Sequence, residues 1–152
     1  VLDICIANAG VSDAAPGLLH ETGTADWARV LDVNLNGLFY TCRAALSVMV
    51  GQGRGKVITV ASMWGLAAPV VNLTREMALH YADKGIQVNA LCPGIFQTET
   101  RPRNPAAAIA YTPMGRLGRP DEIKGAVLFL ASSASDFVTG TTLVIDGGVL
   151  AR

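Results

Sequence analysis

Charged side chains are scarce in this sequence, and the few present are balanced and dispersed. Lys, Arg, Asp and Glu make up 16% of 152 residues, twelve basic against twelve acidic, for a formal net charge of zero. A nucleic-acid interface or a membrane-surface patch rests on clustered charge of one sign, so neither has electrostatic support. Histidine and cysteine are sparser still. His20 and His80 stand alone, and Cys5, Cys42 and Cys92 lie far apart in apolar segments without ligand spacing, which argues against a metal site. The same cysteines read as reduced core residues of a cytoplasmic protein. No apolar run approaches the roughly 18 residues of a spanning helix, and no charged leader precedes an apolar stretch.

Apolar residues, by contrast, are abundant: 51% of the chain, with a mean hydropathy of +0.38. The length suffices for one domain with a real core, yet this balance is apolar for a free-standing domain and suggests part of a larger core. The sequence is organised around Gly55–Gly65. Within it Val57 to Ala61 reads as a strand buried on both faces, because β-branched residues fill it without polar alternation. Ser62 follows at its carboxyl end, where open parallel α/β sheets bind ligands. A structural role, a loop hydroxyl satisfying a nearby backbone group, stands beside the chemical one.

Along the chain, Val1 to Ala7 reads as a strand closed by Asn8-Ala9-Gly10, and Val11 to Thr24 as a loop. From Asp26 to Met49, Trp27, Val30, Leu31, Leu35, Leu38, Cys42, Ala45, Leu46 and Met49 recur at helical spacing, which predicts one long amphipathic helix. Asn34 falls on that apolar stripe. A buried amide without partners costs about 1–3 kcal/mol, so it calls for a hydrogen bond to a neighbouring element or a polar relay behind a site. Gly51–Lys56 lacks a phosphate-loop ending and precedes a strand, so it reads as a helix stop and turn. Gly65 to Pro69 reads as a loop and Val70 to Asp83 as a helix ended by Gly85. Ile86 to Cys92 is the next buried strand, closed by Pro93-Gly94, and strand, helix and strand form a parallel crossover. Glu99 to Tyr111 is poorly periodic and reads as mobile. Pro120-Asp121-Glu122 predicts a helix start running to Leu130, and Thr141 to Ile145 a last strand before Asp146-Gly147-Gly148. The expected fold is α/β, a doubly wound parallel sheet.

Four of these features in this order resemble the short-chain dehydrogenase/reductase family: Asn8-Ala9-Gly10 after a strand, Asn34 within Asp-Val-Asn-Leu-Asn-Gly, Ser62 after Ile-Thr-Val-Ala, and Pro93-Gly94 with Thr98. The closing Phe137–Gly148 segment is similar to that of the group containing 3-oxoacyl-carrier-protein reductases and sugar or polyol dehydrogenases. The resemblance implies a Rossmann-like fold, NAD or NADP as cofactor, and hydride transfer to or from a small-molecule carbonyl or alcohol. It implies Ser62 as the donor to the substrate oxygen and Asn34 as support for a water in the proton path. Asn8, Ala9 and Gly10 would lie along the cofactor ribose, with Pro93, Gly94, Ile95 and Thr98 at the nicotinamide end and phosphates. A homo-oligomer, dimer or tetramer, is implied too.

The departures are as informative. The family's Tyr-x-x-x-Lys is absent: Tyr40, Tyr81 and Tyr111 are followed four residues later by Ala44, Gly85 and Gly115. Matching Ser62 and Asn89 to the family leaves about a dozen residues missing between Pro69 and Val70, although the helix that remains is long enough for a crossover. The glycine-rich first turn is also missing, so the expectation is that residues 1–152 are the C-terminal part of a single Rossmann-like domain lacking its first strands. The loop between Thr98 and Pro113 is short for the family's substrate lid. Met63, Trp64 and Phe96 indicate an apolar wall. Three accounts stand: an oxidoreductase whose absent segments belong to the natural chain, a truncated non-catalytic relative serving as a binding or oligomerisation partner, and an unrelated doubly wound binding module.

Overall fold

The structure, a computed structural model, describes residues 1–11, 18–65, 69–98, 102 and 104–151. Four strands, β1 (Ile4–Ala7), β2 (Gly55–Val60), β3 (Ile86–Pro93) and β4 (Thr142–Ile145), form one sheet in the order β1-β2-β3-β4. Every pair is parallel, and the register sets Ala7 beside Thr59, Val60 beside Leu91 and Pro93 beside Ile145. The carboxyl ends therefore lie along one edge, which places Asn8, Ser62 and Gly94 at the same end of the sheet. Strand β2 carries Val57, Ile58 and Thr59 fully buried, as expected of a strand covered on both faces. Strand β1 is shorter than its sequence suggests. Val1 is 95% exposed, and Leu2 pairs with the Gln52 carboxamide instead of a strand, its N–H donating at 2.7 Å and its C=O accepting at 2.8 Å.

The helix predicted over 26–49 runs unbroken from Thr24 to Gln52, but not as regular α-helix. It comprises α1 (Thr24–Leu31), a π turn (Asp32–Gly37) and α2 (Leu38–Gln52), with Gly53 at φ 67° closing it. Its apolar stripe divides accordingly: Leu38, Cys42, Ala45, Leu46 and Met49 are buried, whereas Trp27 is 55% exposed and nothing in α1 is buried. Helix α3 (Pro69–Tyr81) packs beside α2 on the same face, where Met77 and Ala78 meet Val57, Ile86 and Val88. The hydroxyls of Thr59 and Thr74 share a hydrogen bond of 2.7 Å inside this layer. The opposite face is covered by α5 (Lys124–Ala131), whose Leu130 packs on Ile58 and Leu91. The doubly wound α/β layering is thus present. Because strand order is monotonic, the β3–β4 connection crosses in the opposite sense to the other two.

Two further expectations are corrected. The helix predicted from Pro120 begins only at Lys124, because the backbone before it closes three-residue turns, Glu122 N–H donating to Arg119 C=O at 3.0 Å and Lys124 N–H to Asp121 C=O at 3.2 Å; the Glu122 carboxylate meets the Arg116 guanidinium at 2.7 and 2.8 Å and the Arg119 N–H at 2.8 Å. In the segment read as mobile, α4 (Pro105–Tyr111) is a helix capped by Asn104, whose Oδ1 accepts from Ala107 N at 3.0 Å, with proline in the first turn. Residues 99–101 and 103, like 12–17 and 66–68 in the predicted loops, lie outside the described residues. Cys42 and Cys92 are buried and Cys5 half-buried, all three free, and burial pushes the Cys42 thiol up to about 12. Among the described residues no helix is long and apolar enough to cross a membrane.

Candidate active site

Between the carboxyl ends of β1 and β2 opens a cavity of about 470 Å³. Three pieces of chain build it: Asn8 to Val11 leaving β1, Val60 to Ser62 leaving β2, and Val30 to Leu35 at the junction of α1 and the π turn, with Gly65, Pro69 and Val70 completing the wall. One cavity therefore gathers five of the residues singled out in the sequence, Asn8, Ala9, Gly10, Asn34 and Ser62. Its described lining carries no ionisable side chain. Polar groups there must act by hydrogen bonding, in apolar surroundings that strengthen each bond.

Asn34 owes its placement to the π turn, in which an extra residue widens the helix, a device common at functional sites. Gly37 suits the distortion, since a Cβ there would stand 3.3 Å from the Asp32 carbonyl oxygen. The Asn34 carboxamide reaches across to the loop after β1. Val11 N–H donates to its Oδ1 at 2.8 Å, and its Nδ2 donates to Val11 C=O at 2.9 Å. Neither a helix nor a strand is the partner, and the amide spends both ends on one peptide residue. Gly10, just before it, would place a Cβ 3.6 Å from Asn34 Oδ1.

Ser62 is half-buried two residues beyond β2. Ala61 N–H continues the sheet ladder to Leu91 C=O at 2.9 Å, after which the chain turns through Met63–Gly65. Ser62 Oγ accepts from Trp64 N–H at 3.3 Å, so the structural reading of the hydroxyl is real. The bond uses a lone pair, and the hydroxyl proton is what Ser62 offers the cavity. Burial raises the neighbouring Cys92 thiol, opposed by the Ser62 backbone N–H, which keeps that sulfur a neutral packing group.

The second predicted group is placed differently. Pro93, Gly94, Ile95 and Thr98 do not line this cavity. Gly94 sits against β4's exit so closely that a Cβ would lie 2.5 Å from Asp146 Cα, and its N–H donates to Ile145 C=O at 2.8 Å. Ile95 lines a smaller cavity of about 120 Å³ with Phe96, Thr112 and Arg116, and Thr98 is exposed. The predicted apolar wall also separates. Met63 is buried and Phe96 packs on Gly118, leaving Trp64, 66% exposed and stacked near Tyr111 with ring centroids 5.3 Å apart. Sequence reading missed Tyr111 and Val11; the Asn104-Pro105 cap was the one local signal for the helix that carries Tyr111.

The junction at which the family match leaves residues missing, Pro69-Val70, lies in the first turn of α3, seven positions after Ser62. Tyr81 and Lys84 sit at the other end of that helix, just ahead of β3, with the ammonium 5.8 Å from the ring centroid. They belong to the edge of the sheet opposite Ser62. Tyr40 lies on α2, with the Arg43 guanidinium 5.4 Å from its ring centroid.

A family model described as enoyl-(acyl carrier protein) reductase matches residues 1–150. The chain is 35% identical to 2-(S)-hydroxypropyl-CoM dehydrogenase 3 of Xanthobacter autotrophicus, with 96% of this chain and 65% of that protein covered. It is 40% identical to cis-4-hydroxycyclohexanecarboxylate dehydrogenase of Sinomonas cyclohexanicum, with 99% and 66% covered. Among solved structures, a gluconate 5-dehydrogenase from Burkholderia cenocepacia in complex with NADP and tartrate superimposes with a TM-score of 0.89 at 38% identity, covering 99% of this chain and 65% of that one. The chain thus spans just under two thirds of the length of these relatives. The first match runs over 168 residues against a chain of 152, so that relative carries residues inside the matched stretch that have no counterpart here. With a parallel Rossmann-like sheet, a cavity at the carboxyl ends of its strands and a match along nearly its whole length, the chain belongs to the short-chain dehydrogenase/reductase family.

Proposed function

We infer that this chain serves an NAD(P)-dependent oxidoreductase that moves a hydride between a nicotinamide cofactor and a small carbonyl or alcohol. The observation that carries this reading is the single cavity that unites Asn8, Gly10, Asn34 and Ser62 at the carboxyl ends of β1 and β2. The lining fits an uncharged part of such a cofactor: Ala9 and Gly10 present little side chain, and no charged side chain lines the described cavity. Asn8, Ala9 and Gly10 would hold the ribose side, and Pro93, Gly94, Ile95 and Thr98 the nicotinamide end and phosphates. When bound, the cofactor supplies or accepts the hydride.

The chain's own residues do the rest. Ser62 Oγ–H donates to the substrate oxygen, whose negative charge grows as a carbonyl is reduced, and a preoriented donor there lowers the barrier. Asn34 positions the loop after β1 through Val11 and touches the reaction through that loop. The apolar walls exclude water from the donor. The proton that completes reduction needs an acid that the described lining does not contain, since Ser62 and Asn34 are both poor proton sources near neutral pH. Buried free cysteines agree with a cytoplasmic setting, and the exposed Phe39, Tyr40 and Val48 on α2 agree with a homo-oligomer.

Cofactor binding and turnover test this reading. Purified protein should bind NADPH or NADH and oxidise it with a panel of neutral ketones, followed at the nicotinamide absorbance. Ser62→Ala should lower kcat by roughly 10²–10³-fold, the usual effect of losing one oxyanion donor, and leave cofactor affinity unchanged. Cofactor binding without turnover, or no binding at all, overturns the reading.

A further inference from the structure

Two buried hydroxyls meet just behind the cavity that holds Ser62. Thr59 is the next-to-last residue of β2, and Thr74 stands on the inward stripe of α3 with Val71, Met77 and Ala78; both threonines are fully buried. Their oxygens lie 2.7 Å apart, and Thr74 Oγ1 donates to the Val70 carbonyl at 2.7 Å. A hydroxyl has one proton to give. With the Thr74 proton on Val70, Thr59 donates to Thr74, because the Asn89 carbonyl, 3.5 Å away, is too distant to compete. The relay therefore runs from Thr59 to Thr74 to Val70.

Packing alone does not call for these hydroxyls. Valine has the shape of threonine, and the same layer is filled by Val57, Val88 and Met77 without a polar side chain. Replacing two bonded partners by apolar groups of the same shape is nearly neutral for stability. What the relay adds is direction, since it ties one point of β2 to one carbonyl in the first turn of α3. Those two points lead to opposite walls of the site. Thr59 is followed by Val60, Ala61 and Ser62, which line the cavity from β2, and Pro69 and Val70 line it from α3. We propose that Thr59 and Thr74 are positioning residues, whose relay holds the α3 wall at a fixed distance from Ser62 and serves turnover rather than stability. Neither lines the cavity, and both act through Val70. The effect on turnover rests on the oxidoreductase reading; the anchoring of the α3 turn does not.

Two variants of the whole chain separate direction from packing. Thr59→Val combined with Thr74→Val removes both hydroxyls and keeps the shape, whereas Thr74→Ser keeps the relay and loses a methyl. The double variant should unfold at the wild-type urea midpoint; outright destabilisation overturns the proposal, because the hydroxyls then serve the fold. In hydrogen exchange read by mass spectrometry without ligand, its amides in the first turn of α3 should exchange about two- to tenfold faster, the equivalent of one hydrogen bond. Strand β3 should be unchanged. Unaltered exchange in that turn, or a uniform rise along the chain, overturns the anchor. In NADPH oxidation with neutral ketones, kcat of the double variant should fall about 10–10²-fold, as small misplacements do, with KM within about twofold. Thr74→Ser should match wild type in exchange and in kcat. Wild-type kcat in the double variant, or an equal loss in Thr74→Ser, overturns the positioning role. If the wild-type protein turns over no ketone, the oxidoreductase reading falls and takes the effect on turnover with it, while exchange still decides whether the relay holds the wall.

Discussion

Asn34 and Val11 are joined by a two-point hydrogen bond, side-chain amide to main-chain peptide, at 2.8 and 2.9 Å. The same helix repeats the arrangement at its other end, where Gln52 holds Leu2 at 2.7 and 2.8 Å. Two carboxamides thus clamp the backbone on either side of β1, one before its amino end and one at the cavity.

These clamps should separate stability from cofactor binding. Asn34→Ala strands a peptide N–H and C=O that are partly buried, so a loss of about 1–3 kcal/mol is expected in urea unfolding. Gln52→Ala removes an equivalent pair and should cost a similar amount. Only Asn34→Ala should also weaken NADPH binding by titration, because only Val11 adjoins the cavity.

Gly94 is expected to be intolerant. An added Cβ would stand 2.5 Å from Asp146 Cα, and a backbone atom cannot swing aside. Gly94→Ala should therefore lower stability by about 1–3 kcal/mol, as overpacking does. Gly125, inside α5 with nothing within 4 Å of its would-be Cβ, provides the contrast. Gly125→Ala should raise stability by about 0.5–1 kcal/mol through helix propensity. Thermal unfolding of both variants checks the pair.

The Arg116–Glu122 pair should make stability sensitive to acid. The Arg116 guanidinium, with the Arg119 N–H, holds the Glu122 carboxyl at about 2, below its ordinary 4.5. A depressed folded value means that the contribution is complete above about pH 4.5 and is lost as pH falls towards about 2. The difference in urea midpoint between wild type and Glu122→Gln should accordingly shrink across that window. The pair is partly exposed, so added salt should shrink it as well.

Much of the architecture was legible because it is written in local pattern. Val57 to Thr59 announces a doubly buried strand through β-branched density, and Leu38 to Met49 a helix through spacing. The candidate site was half legible: Ser62 and Asn34 stand out as polar groups where apolar ones are expected. The errors arose where a local signal does not fix the backbone hydrogen-bond pattern. Pro120-Asp121-Glu122 looks like a helix start, but the backbone there closes three-residue turns and α-helix begins at Lys124. Asn34 looks like a polar residue on a regular stripe because the π turn leaves the spacing on either side intact.

The sequence by itself determined the strands, the helices that cover them and the family, and it singled out the hydroxyl and amide that line one cavity. Periodicity and composition act over a few residues, and that range is enough to commit each segment. Only the tertiary structure decided that the Asn34 amide is spent on Val11, that Ile95 belongs to a neighbouring cavity, and that Tyr111 comes to rest against Trp64. Those contacts join segments whose approach is set by sheet register and helix packing, so no local pattern encodes them.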